Sequence, residues 1–93
     1  MAIYVDSLRD YRYITGRGLP GLWCHMLTDG SLEELHQFAE QLGIPRRGFQ
    51  NHPRHPHYDL TPAARANALH LGAQEISTRD LFLLLRELEN RHA

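Results

Sequence analysis

The segment NHPRHPHYDL, Asn51 to Leu60, places three histidines, a tyrosine and an aspartate within ten residues. Imidazole and carboxylate groups are ligands for zinc, iron or manganese, and imidazole titrates near neutrality, which also suits it to general acid-base work. In extended backbone alternate side chains share a side, so His55, His57 and Asp59 project together while Tyr58 points the opposite way. Two histidines and one carboxylate form a set that lets a bound divalent metal activate water. The chain has no H-E-x-x-H, no C-x-x-C pair and no run of acids with calcium spacing. The residues therefore leave three readings open: a divalent metal such as zinc or manganese on His57, Asp59 and a second histidine; a metal-free acid-base pocket; or a histidine-rich exposed loop with no site at all.

The second histidine is His25, in the apolar run LWCHML, Leu22 to Leu27. A histidine on such a strand faces inward, either as acid, base or ligand oriented by Asp6 or Asp59, or as a structural residue bonded to a carbonyl or carboxylate. Cys24 precedes it, but strand neighbours point to opposite faces, so adjacency makes no cysteine-histidine dyad and Cys24 reads as a small buried hydrophobe. His36 sits at the edge of an apolar helix face and reads as a helix-to-sheet contact. All ten basic residues are arginine, and between Ile44 and His70 four arginines, Arg46, Arg47, Arg54 and Arg65, meet a single acid, Asp59. Arginine grips phosphate or carboxylate with two prongs. Arg46 and Arg47, with Tyr58, are thus the candidates for holding an anionic small molecule or nucleotide, against the plain alternative of a solvated face.

These residues need elements to hold them. AIYVD, Ala2 to Asp6, has strand composition and LWCHML reads as a strand covered on both faces, with a long loop from Ser7 to Gly21 between them. Ser31 and Glu34 form a capping box, after which Leu32, Leu35, Phe38, Ala39 and Leu42 recur at helical spacing until Gly43 and Pro45. HYDL, His57 to Leu60, reads as a short strand. Thr61 and Pro62 open a second helix that ends at Gly72, with Ala66 and Leu69 inward. AQEIS is a short strand or connection, and Ser77 or Thr78 caps a third helix striped by Leu81, Leu84, Leu85 and Leu88. The alternation predicts a small α/β domain spanning residues 1–93, with a sheet of three to four strands, partly parallel, and three helices. The leucine stripe reads as core, with a homodimer seam as the minor alternative.

Composition narrows the classes. Ninety-three residues make one core, 42% hydrophobic and 23% charged residues are ordinary for a globular protein, and no stretch approaches the roughly 18 apolar residues of a membrane span. Met1 to Asp6 lacks the features of a secretion signal, and one cysteine suits a reducing environment, so the expected compartment is cytoplasmic. A net charge of -1 and the absence of common RNA-binding motifs leave nucleic acid weakly supported as a partner. GRGLPG precedes a strand, the wrong context for a phosphate loop.

YVD at Tyr4 to Asp6, CHM at Cys24 to Met26, EELH at Glu33 to His36, FQ at Phe49 and Gln50, HYDL at His57 to Leu60, and GAQEI at Gly72 to Ile76 occur in order along nearly the whole chain. In these motifs the chain resembles a bacterial and phage family known only as a domain of unknown function, found alone or at the N-terminus of longer proteins. The resemblance implies no reaction. It implies a shared polar set at His25, His36, His57, Tyr58 and Asp59, with Asp6 as a further member. The chain departs from the pattern at Gly48, where the family has tryptophan before the phenylalanine, and its Ser7 to Gly21 loop is longer, so Arg9, Arg12 and Arg17 inherit no family role. Two function classes follow from the residues. One is a hydrolase or transferase for a phosphorylated or anionic substrate, with His57 as ligand or base, Asp59 as ligand or orienter, His25 as second ligand or acid, Asp6 beside them, and Arg46 and Arg47 as anion clamps. The other is a non-catalytic binding or regulatory module in which the same residues form a hydrogen-bonded brace.

Overall fold

A computed structural model of the chain describes residues 2–10 and 21–91. Its strands are β1 (Ile3–Val5), β2 (Arg9–Asp10), β3 (Leu22–Thr28), β4 (Phe49–Gln50), β5 (His57–Leu60) and β6 (Gln74–Glu75). Its helices are α1 (Leu32–Gln41), α2 (Pro62–His70) and α3 (Thr78–Arg91), and a 3-10 turn at Arg46–Gly48 leads into β4. The sheet order is β4-β5-β3-β1-β6, with β2 also pairing with β3. Only the β1-β6 pair is parallel among the pairings of the described residues. The α/β class and the three helices agree with the expectation, but the sheet has six strands rather than three to four. The two additional strands, β2 and β4, are two residues long, and so short a segment is a strand only by virtue of its partner; no period can announce it. Arg12 and Arg17, in the rest of the predicted loop, lie outside the described residues.

Strand register sorts the side chains onto two faces. Val5 lies opposite Met26, Met26 opposite Tyr58, and Cys24 opposite Leu60. Paired residues share a side, so these five form one apolar face, which packs on Leu35 and Ala39 of α1 and Ala68 of α2. Tyr4, Leu27, His25 and Asp59 belong to the other face. There Leu81 of α3 is buried, and Leu85 stands across a cavity from His25.

The helices start and stop where local chemistry requires. Ser31 Oγ accepts the Glu34 amide as N-cap of α1, and Gly43, at φ 77, turns the chain in the left-handed region after it. Thr61 Oγ1 caps α2 by accepting the Ala64 amide, with Pro62 in its first turn. Ser77 Oγ accepts the Asp80 amide at the start of α3. One expectation for α2 fails: Ala66 is exposed, and Ala64, Ala68 and Leu69 face inward. Ala66 is two residues from Ala64 and from Ala68, about 200° around the helix from each, so it falls on the outer side once those two face the sheet. No helix among the described residues is long and apolar enough to cross a membrane.

Candidate metal centre

His25 on β3 lies directly opposite Asp59 on β5. His57 stands two residues before Asp59 on the same strand, so all three side chains emerge from one face. Nε2 of His25 is 3.9 Å and Nε2 of His57 is 3.4 Å from Asp59 Oδ1. The two imidazoles meet edge to face, with centroids 4.7 Å apart. One potential ligand atom from each of the three residues lies within 4.8 Å of the other two. A zinc-type ion with bonds of about 2.0–2.2 Å needs its ligands roughly 3–3.5 Å apart, so the wider separations of this set must close by roughly an ångström around an ion.

The partners on the far side of each ring set the tautomers. Asp6, which follows β1 and is 3% exposed, accepts two hydrogen bonds from one residue: the His25 amide donates to Oδ1 at 2.6 Å and the His25 ring Nδ1 to Oδ2 at 2.9 Å. The His57 Nδ1 donates to the carbonyl of His55 at 2.7 Å. A carboxylate and a carbonyl only accept, so both Nδ1 atoms carry hydrogen, and in each neutral ring the lone pair falls on Nε2, the atom that faces Asp59. Metal-binding histidines are oriented in this way, by a carboxylate or carbonyl on the nitrogen that does not ligate.

The electrostatics separate neighbouring histidines. Burial opposes a charge on His57, but the Asp59 carboxylate and the His55 carbonyl outweigh it, and the net effect raises the His57 pKa above its ordinary value. His55 goes the other way, down to about 4, through burial first and then through His52, His57 and His25 around it. Its ring stacks on His57 at 5.0 Å and 13° and lies 3.9 Å from His52. His55 is therefore a neutral ring at neutral pH. On the opposite face burial, aided by Asp6, pushes the Cys24 thiol up to about 12, so Cys24 is an unreactive core residue.

A family described as "Protein of unknown function (DUF4031)" matches residues 3–88. The chain belongs to this family. The match runs from β1 into α3, a range within which Asp6, His25, His57 and Asp59 all fall. No curated protein and no solved structure gives a significant match.

Not every residue singled out from the sequence reaches the centre of this DUF4031 chain. Tyr58 is fully buried on the α1 face, where its hydroxyl meets His36 Nδ1 at 2.7 Å and its ring lies 5.5 Å from Phe49. Arg46 follows α1 and pairs with Glu33 at 2.8 Å and Glu40 at 3.8 Å, and Arg47 is exposed on the same turn. Of the two arginines expected to flank the polar pocket, Arg46 is thus engaged with the acids of α1, the helix that packs on the face carrying Tyr58. Two other arginines come closer. Arg65 donates from Nε to the Asp6 carbonyl at 2.9 Å and pairs with Glu75 at 2.9 Å; Arg9 donates to Thr78 Oγ1 at 2.6 Å. Arg65 had a readable signal, since it stands three residues before Ala68 on the inner stripe of α2. Arg9 had none, as its contact spans 69 residues.

A cavity of about 240 Å³ adjoins the centre. Asp6, Arg9, His25 and His55 line it together with Thr78, Leu81, Phe82 and Leu85 of α3. Of the three clustered residues His25 lines it, and both His25 and His55 of the lining are in ring contact with His57.

Proposed function

We propose that the chain binds a divalent transition metal, zinc or manganese, through Nε2 of His25, Nε2 of His57 and the Asp59 carboxylate, and hydrolyses a phosphorylated substrate there. The observation that carries this reading is the pair of Nδ1 hydrogen bonds, to Asp6 and to the His55 carbonyl, which turn both Nε2 lone pairs toward one carboxylate. Three ligands of this type leave positions on the ion for water and substrate. When bound, such an ion lowers the pKa of its water toward neutrality and supplies hydroxide. Attack on phosphorus would form one P–O bond and break the bond to the leaving alcohol, which takes a proton, so one water is consumed in total. Asp6 serves as a positioning residue, because both its oxygens are engaged by His25.

The binding-module alternative has one observation of its own. The Asp6–His25 pair ties β1 to β3 through a side-chain and a backbone bond and needs no metal to do so. Elemental analysis of untagged protein separates the readings. The proposal expects close to one equivalent of zinc or manganese per chain, lost in His57→Ala, and a rise in thermal midpoint when metal is added back. If the native chain carries no metal and neither ion stabilises it against heat, the metal centre is wrong and the brace remains.

A further inference from the structure

Phe82 is the most exposed large hydrophobic residue of the described chain, at 67%, and it lines the cavity beside the centre. Aromatic rings at a cavity mouth are stacking surfaces for planar ligands. One turn before it on α3, Thr78 holds Arg9, exposed, through one guanidinium nitrogen, and no carboxylate partner of Arg9 is found among the described residues. A guanidinium has five N–H donors in a fork, so the bond to Thr78 positions the group and leaves donors for an anion. Leu81 and Leu85 of α3 add an apolar part to the cavity lining.

We infer that the ligand of this cavity is a phosphorylated nucleoside, with its base stacked on Phe82, its sugar over Leu81 and Leu85, and its phosphate between Arg9 and His25. Size supports the division. A cavity of about 240 Å³ is below the roughly 300–1,000 Å³ of pockets that enclose a whole drug-sized ligand, so it takes the sugar and phosphate and leaves the base at the rim. That is where the exposed ring is. His55, whose ring also lines the cavity, offers a ring edge for a hydrogen bond to the sugar. The inference rests on the metal-centre reading for where the phosphate is cut, but the binding of base and phosphate does not require the metal.

Binding of AMP and of ribose 5-phosphate, measured by calorimetry on metal-free and on zinc-loaded protein, tests it. AMP is expected to bind about five-fold or more tightly than ribose 5-phosphate in both forms, the low end of what stacking on one aromatic side chain is worth. Phe82→Ala should abolish the preference while leaving ribose 5-phosphate unchanged, and Phe82→Trp should restore it. Arg9→Gln should weaken both ligands by a similar factor. A 5′-phosphorylated pentaadenylate in parallel distinguishes the source: binding ten-fold tighter than AMP assigns a strand end, and equal binding assigns the free nucleotide. If AMP binds no better than ribose 5-phosphate, or if Phe82→Ala keeps the preference, the assignment is overturned. Absence of bound zinc would instead sink the metal centre and leave the base preference measurable.

Discussion

Replacing Asp6 by asparagine changes one buried atom from oxygen to nitrogen. The His25 amide donates to Asp6 Oδ1 at 2.6 Å, and an amide N–H cannot accept, so the carbonyl oxygen of the new side chain must stay at that place. The amide nitrogen then takes the position of Oδ2, 2.9 Å from His25 Nδ1. Two N–H groups cannot face each other there, so the imidazole moves its hydrogen to Nε2 and turns a donor, rather than a lone pair, toward Asp59. Losing a partner of this kind behind a metal-binding histidine typically lowers affinity 10–100-fold, or about 1.4–2.8 kcal/mol. Folding stability should fall by a further 1–3 kcal/mol or so, because at 3% exposure water does not replace the lost charge-assisted bonds. Zinc titration calorimetry reads the first number and urea unfolding the second. Nitrogen-15 NMR of the imidazole reads the tautomer itself: Nδ1–H in the native chain, Nε2–H in the variant. Unchanged zinc affinity together with an Nδ1–H ring in the variant would refute the orientation argument.

Acidification should unfold the chain partly through His55. Its folded pKa, about 4, lies below the ordinary 6.5, so the native state favours the neutral ring; the contribution is complete above 6.5 and is lost as pH falls from there toward 4. Thermal midpoints of the native chain should drop across that window more steeply than those of His55→Gln, and parallel curves would contradict the burial argument. His57 has the opposite sign: its raised pKa gives stability that is present below 6.5 and fades as pH rises through the folded value. Tyr58→Phe removes the bond to His36 Nδ1 and should cost about 1 kcal/mol in urea unfolding with zinc affinity unchanged, since Tyr58 is on the other face. Arg46→Ala should alter stability by less than about 1 kcal/mol, as expected of an exposed pair, and leave zinc and phosphate binding as they are; a marked loss of either would return Arg46 to the site. Cys24 should resist a thiol reagent in native protein and react fully in urea; rapid native labelling would contradict its burial.

Local rules made the helices and the key strand legible. The Ser31 cap on the Glu34 amide, the Thr61–Pro62 start and the Ser77 cap depend on contacts within four residues, and each recurs in the structure, with the Glu34 carboxylate accepting from the Ser31 hydroxyl. Strand alternation likewise separated His57 and Asp59 from Tyr58, because a period of two is a property of the extended chain alone. The same rule put Cys24 and His25 on different faces. The two short strands and the phase of α2 were not legible, since both are defined by a partner distant in sequence.

The sequence by itself thus determined which residues could form a centre: its histidines, its carboxylates and the side of the strand on which they emerge. Tertiary structure alone decided which of them meet. Register set His25 opposite Asp59, and the path of β1 brought Asp6 onto both N–H groups of His25. Helix α1, packed on the Tyr58 face, engaged Arg46 with its acids, while α2 and α3 brought Arg65 and Phe82 in. The physical reason is that side-chain direction along a strand follows from the covalent chain, whereas the choice of facing partner is made by strand pairing and helix packing summed over the whole fold.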